Sequence, residues 1–128
     1  MNKEFIPYEE ALALKELGFD EPCFGRYYYK ELYPMLNPQS EETELVFEFG
    51  QYIKQTEVTI LTPLYQQAFR WFREKGYNNG IVPYYDYYYY HIKDFNNDKE
   101  YDTRTPVEAT YEEAELACLK KLIEIVQK

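Results

Sequence analysis

Residue types able to do chemistry stand in four places. His91, the single histidine, follows a run of tyrosines and could act as a base beside a phenol. General base catalysis needs a nucleophile held within hydrogen-bond reach, and no such motif accompanies it, so a surface strand residue is expected. Glu41, Glu42, Glu44 and Glu48 could pair as acid and base, but carboxylates so spaced read as a solvated charged edge. Asp94-Phe95-Asn96-Asn97-Asp98 opens like a calcium loop. Lys99 then stands where that loop needs glycine and Thr105 where it needs the bidentate acid, which leaves a hairpin turn. Cys23 and Cys118, with one histidine, make no four-ligand nitrogen and sulfur set, so buried free thiols are expected. With no glycine-rich phosphate loop and no nucleophile motif, the expectation is a protein that is not an enzyme and uses no cofactor.

Binding chemistry is more visible. Residues 84–90 contain six tyrosines within the stretch Gly80 to Lys93. Tyrosine has a wide apolar ring with a polar tip, favours strands, and needs a hydrogen-bond partner when its hydroxyl is buried. Read as one strand, the stretch sends Val82, Tyr84, Tyr88, Tyr90 and Ile92 inward and Tyr85, Tyr87, Tyr89, His91 and Lys93 outward. Arg26, Tyr28 and Lys30 alternate in the same way in an earlier aromatic run, and join this surface if that strand pairs in the same sheet. Rings stack on bases and cations hold phosphates, so a nucleotide or short single strand would suit such a face. The same residues suit a protein interface, where tyrosine and arginine are enriched.

Composition limits the partners. The 128 residues fit one domain, 1–128, with no linker-like segment dividing it. Sixteen tyrosines and 8 phenylalanines predict an aromatic-rich core, in keeping with a mean hydropathy of -0.68. The 23 acidic residues against 14 basic ones give a net charge of -9, which disfavours duplex DNA and anionic membrane surfaces. The opening residues Met1 to Pro7 lack an apolar run of signal-peptide length, and no stretch is apolar for the span of a bilayer. A cytoplasmic protein is expected.

The elements that must position these residues follow from punctuation and periodicity. Pro7 opens a helix over 8–17 with acids in its first turn, and Gly18 can take the left-handed stop. Cys23 to Tyr33 reads as a strand and Pro34 to Thr43 as a loop. Glu44 to Ile53 alternates cleanly, with Leu45, Phe47, Phe49 and Ile53 on one face, and Val58 to Leu61 either extends it or stands alone. Thr62-Pro63 reads as a cap for a second helix, 63–75, whose apolar side carries Leu64, Tyr65, Ala68, Phe69, Trp71 and Phe72 before Gly76 ends it. Tyr77 to Gly80 reads as a turn, Lys99 to Thr105 as a return strand, and Thr110 to Glu113 has capping-box spacing for a closing helix over 110–127. Phe49, Phe69, Trp71, Leu119 and Leu122 are expected in the core.

Three helix openings echo one another: Tyr8-Glu9-Glu10-Ala11, Tyr65-Gln66-Gln67-Ala68 and Tyr111-Glu112-Glu113-Ala114. The order αββαββα, with an internal αββ repeat as one reading of that echo, predicts an α+β fold in which three helices pack an antiparallel β-sheet. The helices also carry a resemblance. Tyr8 to Cys23, Tyr65 to Lys75 and Thr110 to Glu124 resemble a group of small uncharacterised phage and prophage proteins. More remotely, the element order and the closing run Ala114-Glu115-Leu116-Ala117-Cys118-Leu119-Lys120 resemble the phage ABA-sandwich domain. The resemblance covers a little under half the chain and leaves out the tyrosine strand, so it transfers no catalytic residue. It implies a phage origin, an accessory role and the host cytoplasm. The expected function is a non-enzymatic accessory factor, in a counter-defence role for instance, that binds a host protein or itself through the tyrosine face, with an acidic surface able to mimic nucleic-acid charge. The alternative is a binder that sequesters a nucleotide or a nucleotide-derived host signal.

Overall fold

A computed structural model of the chain describes residues 4–28, 31–39, 45–48, 51–54, 59–102 and 108–127. They fall into two compact units, Met1–Tyr65 and Gln66–Lys128. The fold is α+β, with three helices among the described residues and antiparallel strands between them.

In the first unit, α1 (Tyr8–Glu16) follows Pro7, whose φ of -60° and ψ of 159° place it just outside the helix. Gly18 ends it at φ 98°, and the Phe19 amide closes the last turn by donating to the Leu14 carbonyl at 3.0 Å. Such a φ disfavours a residue with a Cβ, which is why glycine marks this stop. Strand β1 (Cys23–Tyr28) lies centrally, flanked by β2 (Glu31–Gln39) and β5 (Thr59–Thr62), both antiparallel to it. The expected loop over 34–43 is therefore strand as far as Gln39. Pro34 and Pro38 sit in an edge strand, the place in a sheet that tolerates proline, and the register slips between Cys23 and Gly25.

The expected single strand over 44–53 is instead a hairpin of β3 (Leu45–Glu48) and β4 (Gln51–Lys54), paired Phe47 with Tyr52 and Glu48 with Gln51. Alternation alone cannot separate one strand from two antiparallel ones. Phe49, expected in the core, lies outside the described residues, as do Glu41, Glu42 and Glu44. β5 stands alone rather than extending the hairpin. Thr62 belongs to it and caps no helix: its hydroxyl donates to the Ile6 carbonyl at 2.7 Å, where the Tyr27 hydroxyl also donates at 2.9 Å. Gly25 is needed for close approach, since a Cβ there would come within 2.6 Å of the Phe5 ring.

Helix α2 (Tyr65–Glu74) buries Tyr65, Ala68, Phe69, Trp71 and Phe72, as its periodicity predicts, and Gly76 ends it at φ 96°. The sheet of the second unit runs β6 (Tyr77–Tyr84), β7 (Tyr87–Asp94), β8 (Lys99–Asp102). The expected turn over Tyr77 to Gly80 is thus the start of a strand. Asn79 is accommodated there because its side-chain amide donates to the carbonyls of Phe69 and Tyr77, both at 3.1 Å. Helix α3 (Tyr111–Gln127) packs on β7 and β6 and buries Ala114, Cys118, Leu119, Leu122 and Ile123. The Thr110 hydroxyl accepts from the Glu113 amide at 3.1 Å, the expected helix cap, and donates to the Glu113 carboxylate at 3.2 Å. Cys23 and Cys118 are both buried and free. Burial, with the Glu115 charge nearby, pushes the Cys118 thiol up to about 12, so it stays protonated and inert.

Two substitutions test this packing. Leu122→Ala empties a fully buried site and should lower the unfolding free energy by about 2–5 kcal/mol; a loss under about 0.5 kcal/mol would show that α3 does not pack on the sheet this way. Gly25→Ala should cost about 1–3 kcal/mol through its clash with Phe5, and Phe5→Ala should relieve that clash in the double variant.

Candidate binding surface

The tyrosine stretch is a hairpin. Tyr84 pairs with Tyr87, Val82 with Tyr89, Gly80 with His91 and Asn78 with Lys93, so only Tyr85 and Asp86 form the turn. Residues directly opposite in an antiparallel pair share a face. Tyr87, Tyr89, His91 and Lys93 therefore share theirs with Val82 and Tyr84, while Tyr88, Tyr90 and Ile92 share the helix-packed face with Ile81 and Pro83. Two ring contacts fit this division. Tyr84 meets Tyr89 edge-on at 6.1 Å on the outer face, and Tyr88 meets Tyr111 of α3 edge-on at 5.8 Å on the inner one.

The expected outward set on β7 is thus correctly placed, and the expected inward positions of Val82 and Tyr84 are not. An even-length turn reverses the odd and even positions between the two strands, so one alternation cannot be carried through both. Val82 and Tyr84 are the surface residues that sequence reasoning misses. A glycine or asparagine in the turn would have revealed it, but Tyr85-Asp86 has neither. Tyr85 itself lies in neither strand. It holds φ 56° in the turn, is 88% exposed, and packs edge-on against Tyr84 at 4.8 Å. Tyr84 and Tyr87 are 44% and 49% exposed, and exposure declines from this tip to half-buried Tyr89, His91 and Lys93.

At the other end of the face Lys93 is already engaged. Its ammonium lies 2.8 Å from the Asp98 carboxylate and 3.9 Å from that of Glu100. The hydrogen bond to Asp98 holds Lys93 above its usual range and Asp98 below its own. Asp98 is 92% exposed, so this pairing contributes little to stability. Next to it, Asp94 organises the β7–β8 turn. Its carboxylate accepts from the Asn96 amide at 2.9 Å, the Asn97 amide at 3.3 Å and the Asn97 side chain at 3.0 Å. Burial pushes Asp94 up, but these hydrogen bonds outweigh it and hold the carboxyl below its usual range. The calcium-like spelling is therefore a hydrogen-bonded hairpin turn.

Of the three residues expected from the earlier strand, only Arg26 has a described side chain, and it lies in a different sheet. Arg26 lies in β1, which pairs with β2 and β5 and not with the tyrosine hairpin, and it is 1% exposed. Pairing in one sheet was the condition for joining, and it is not met. For Tyr28 the backbone alone is described, and Lys30 lies outside the described residues. Two lysines do converge elsewhere. A groove of about 430 Å³ on the helix side is lined by Asp94, Asn97, Lys99, Tyr101, Lys121 and Ile125. Lys121 there lies 3.3 Å from Glu124 and covers the Tyr101 ring at 5.2 Å. With two carboxylates beside two ammoniums, the groove offers no net positive charge.

Comparison with protein-family models, with curated proteins and with solved structures finds no match. Among the described residues no group of three histidine, cysteine, aspartate or glutamate side chains could hold a metal ion. No helix among them is long and apolar enough to cross a membrane.

The state of Asp94 sets a pH dependence with a definite sign. A carboxyl held below its unfolded value contributes stability above that value, about 3.9, and loses it as pH falls through the folded pKa. Between about pH 5 and about pH 3 the melting temperature should fall less steeply in Asp94→Asn than in the parent chain. Equal slopes would show that the Asp94 hydrogen bonds do not persist in solution.

Proposed function

We propose that this chain is a non-enzymatic, phage-encoded accessory protein that binds a protein partner through the tip of its tyrosine hairpin. The observation that carries this reading is Tyr85, a bulky ring held at φ 56° and 88% exposed between the exposed rings of Tyr84 and Tyr87. A left-handed conformation costs a non-glycine residue about 1–2 kcal/mol. A ring that only finished the fold would find burial or a hydrogen bond in return, and among the described residues this one meets the Tyr84 ring edge-on. Tyrosines of this kind give interfaces large contact area at small entropic cost. A host protein as the partner would make the chain a counter-defence factor.

Sequestration of a nucleotide has less support. Phosphate needs a cation, and on the outer face Lys93 already serves Asp98 and Glu100. Arg26, a further cation that reading relied on, lies in another sheet, and Lys30, the third, lies outside the described residues.

Site-specific cross-linking tests the proposal. With benzoylphenylalanine in place of Tyr87, irradiation in the producing cell should give covalent adducts to a polypeptide, whereas the same group at exposed Lys120 on α3 should give none. Adducts of twice the chain mass would identify self-assembly, and other masses a foreign protein. Absence of adducts at Tyr87, in a chain that still folds, would remove the hairpin from any binding role. In the same cells Tyr87→Ala with Tyr89→Ala should leave the melting temperature within a few degrees and abolish the complex.

A further inference from the structure

The charges around the exposed rings say what kind of polypeptide they suit. Asp86 is exposed at the turn, and Asp98 and Glu100 are exposed at the opposite end of the face. Among the described residues of the outer face Lys93 is the one cation, and it lies between two of these three carboxylates. The face is therefore a strip of rings with negative charge at both ends. Tyr87 to Lys93 spans six residues, which at about 3.3 Å per residue is about 20 Å, the length of an extended peptide of about six residues.

A second copy of the chain is a poor occupant. Each copy carries a net charge of -9, and apposing two such faces would bring their terminal carboxylates together. A basic segment meets the opposite situation at every point. Arginine guanidinium groups lie flat on tyrosine rings through cation–π contact and planar stacking, and pair with carboxylates by charge-assisted hydrogen bonds. We infer that the outer face of the tyrosine hairpin takes an arginine-bearing, basic polypeptide segment, its cations stacked on Tyr84, Tyr85 and Tyr87 and paired with Asp86 at one end and Glu100 and Asp98 at the other. This inference rests on the protein-binding role proposed for the hairpin and names the chemistry of its partner.

The test uses the full chain and synthetic eight-residue peptides of alternating glycine with arginine, lysine or glutamate, read by fluorescence anisotropy and by competition with the Tyr87 cross-link. The arginine peptide should bind best, the lysine peptide more weakly because ammonium stacks less well, and the glutamate peptide not at all. Asp86→Asn with Glu100→Gln, which leaves the rings in place, should weaken arginine-peptide binding by roughly three- to tenfold, the size that two exposed ion pairs supply. Tyr87→Ala should weaken it by about tenfold or more. Equal binding by parent and charge-neutralised chains, or by arginine and glutamate peptides, would overturn the inference. A cross-link at Tyr87 that persists in excess arginine peptide would also overturn it, while leaving the hairpin as a protein-binding element. Loss of the cross-link in the parent cells, with no peptide present, would instead end the underlying proposal.

Discussion

Pairing of Tyr84 with Tyr87 across a two-residue turn decides the face of every side chain from Tyr77 to Asp94. Side chains alternate with period two, so a turn one residue longer would move Val82 and Tyr84 to the helix side and Ile81 and Pro83 to the outside. Two features at opposite ends hold the register. At the tip, Tyr85 supplies the left-handed residue that a tight turn needs. At the base, Asn79 donates to the Phe69 carbonyl, which ties β6 to α2 and would be out of reach if Asn79 faced the other way. The inner face so defined is apolar enough for α3 to bury Leu119 and Leu122, while the outer face keeps the rings and charges.

The outer charges then narrow the chemistry. A lysine on a strand surface is an anion site only while its charge is available, and Lys93 has acids on both sides: Asp98 in the following turn and Glu100, its direct partner on β8. Cross-strand opposition of lysine and glutamate is the ordinary way that a sheet surface balances its own charge. What is left over is Asp86 at the tip and one net negative charge at the base, where one lysine meets two acids. These are the charges that the proposed cationic partner would meet beside the rings.

How much of this was legible in the sequence differs by type of element. Helices announce their ends chemically: Gly18 and Gly76 take positive φ where expected, and Thr110 with Glu113 forms a cap. Helix faces were legible too, since Phe69, Trp71, Leu119 and Leu122 are all buried. Strand ends were harder because their signals are ambiguous. Thr62-Pro63 spells a helix cap, yet Thr62 belongs to β5, paired with Gly25, and its hydroxyl donates to the Ile6 carbonyl. Pro34 and Pro38 spell a loop, yet an edge strand tolerates them. The turn at Tyr85-Asp86 lies inside one aromatic run, and β3 and β4 lie inside one clean alternation, so each antiparallel pair read as one strand. Which strands share a sheet was not legible at all. It rests on long-range pairing, and it is what separates Arg26 from the tyrosine hairpin.

Tyr85 is where the fold and the proposed role meet. Elsewhere the described chain gives positive φ to residues suited to it: Gly18, Gly76, and Asp98, whose short polar side chain tolerates the left-handed region. A turn selected for stability alone would place glycine or asparagine at position 85 as well. Keeping tyrosine there raises the free energy of the isolated hairpin and leaves a ring 88% exposed beside Tyr84. Strain that persists at an exposed site with a large side chain fits the interaction proposed outside the chain, because among the described residues the edge-on Tyr84 ring is what meets it. Covering that ring with a partner would recover apolar burial at no further cost to the backbone, since the turn already holds the ring outward. The same conformation that disfavours the free hairpin would thus preorganise the surface proposed to bind.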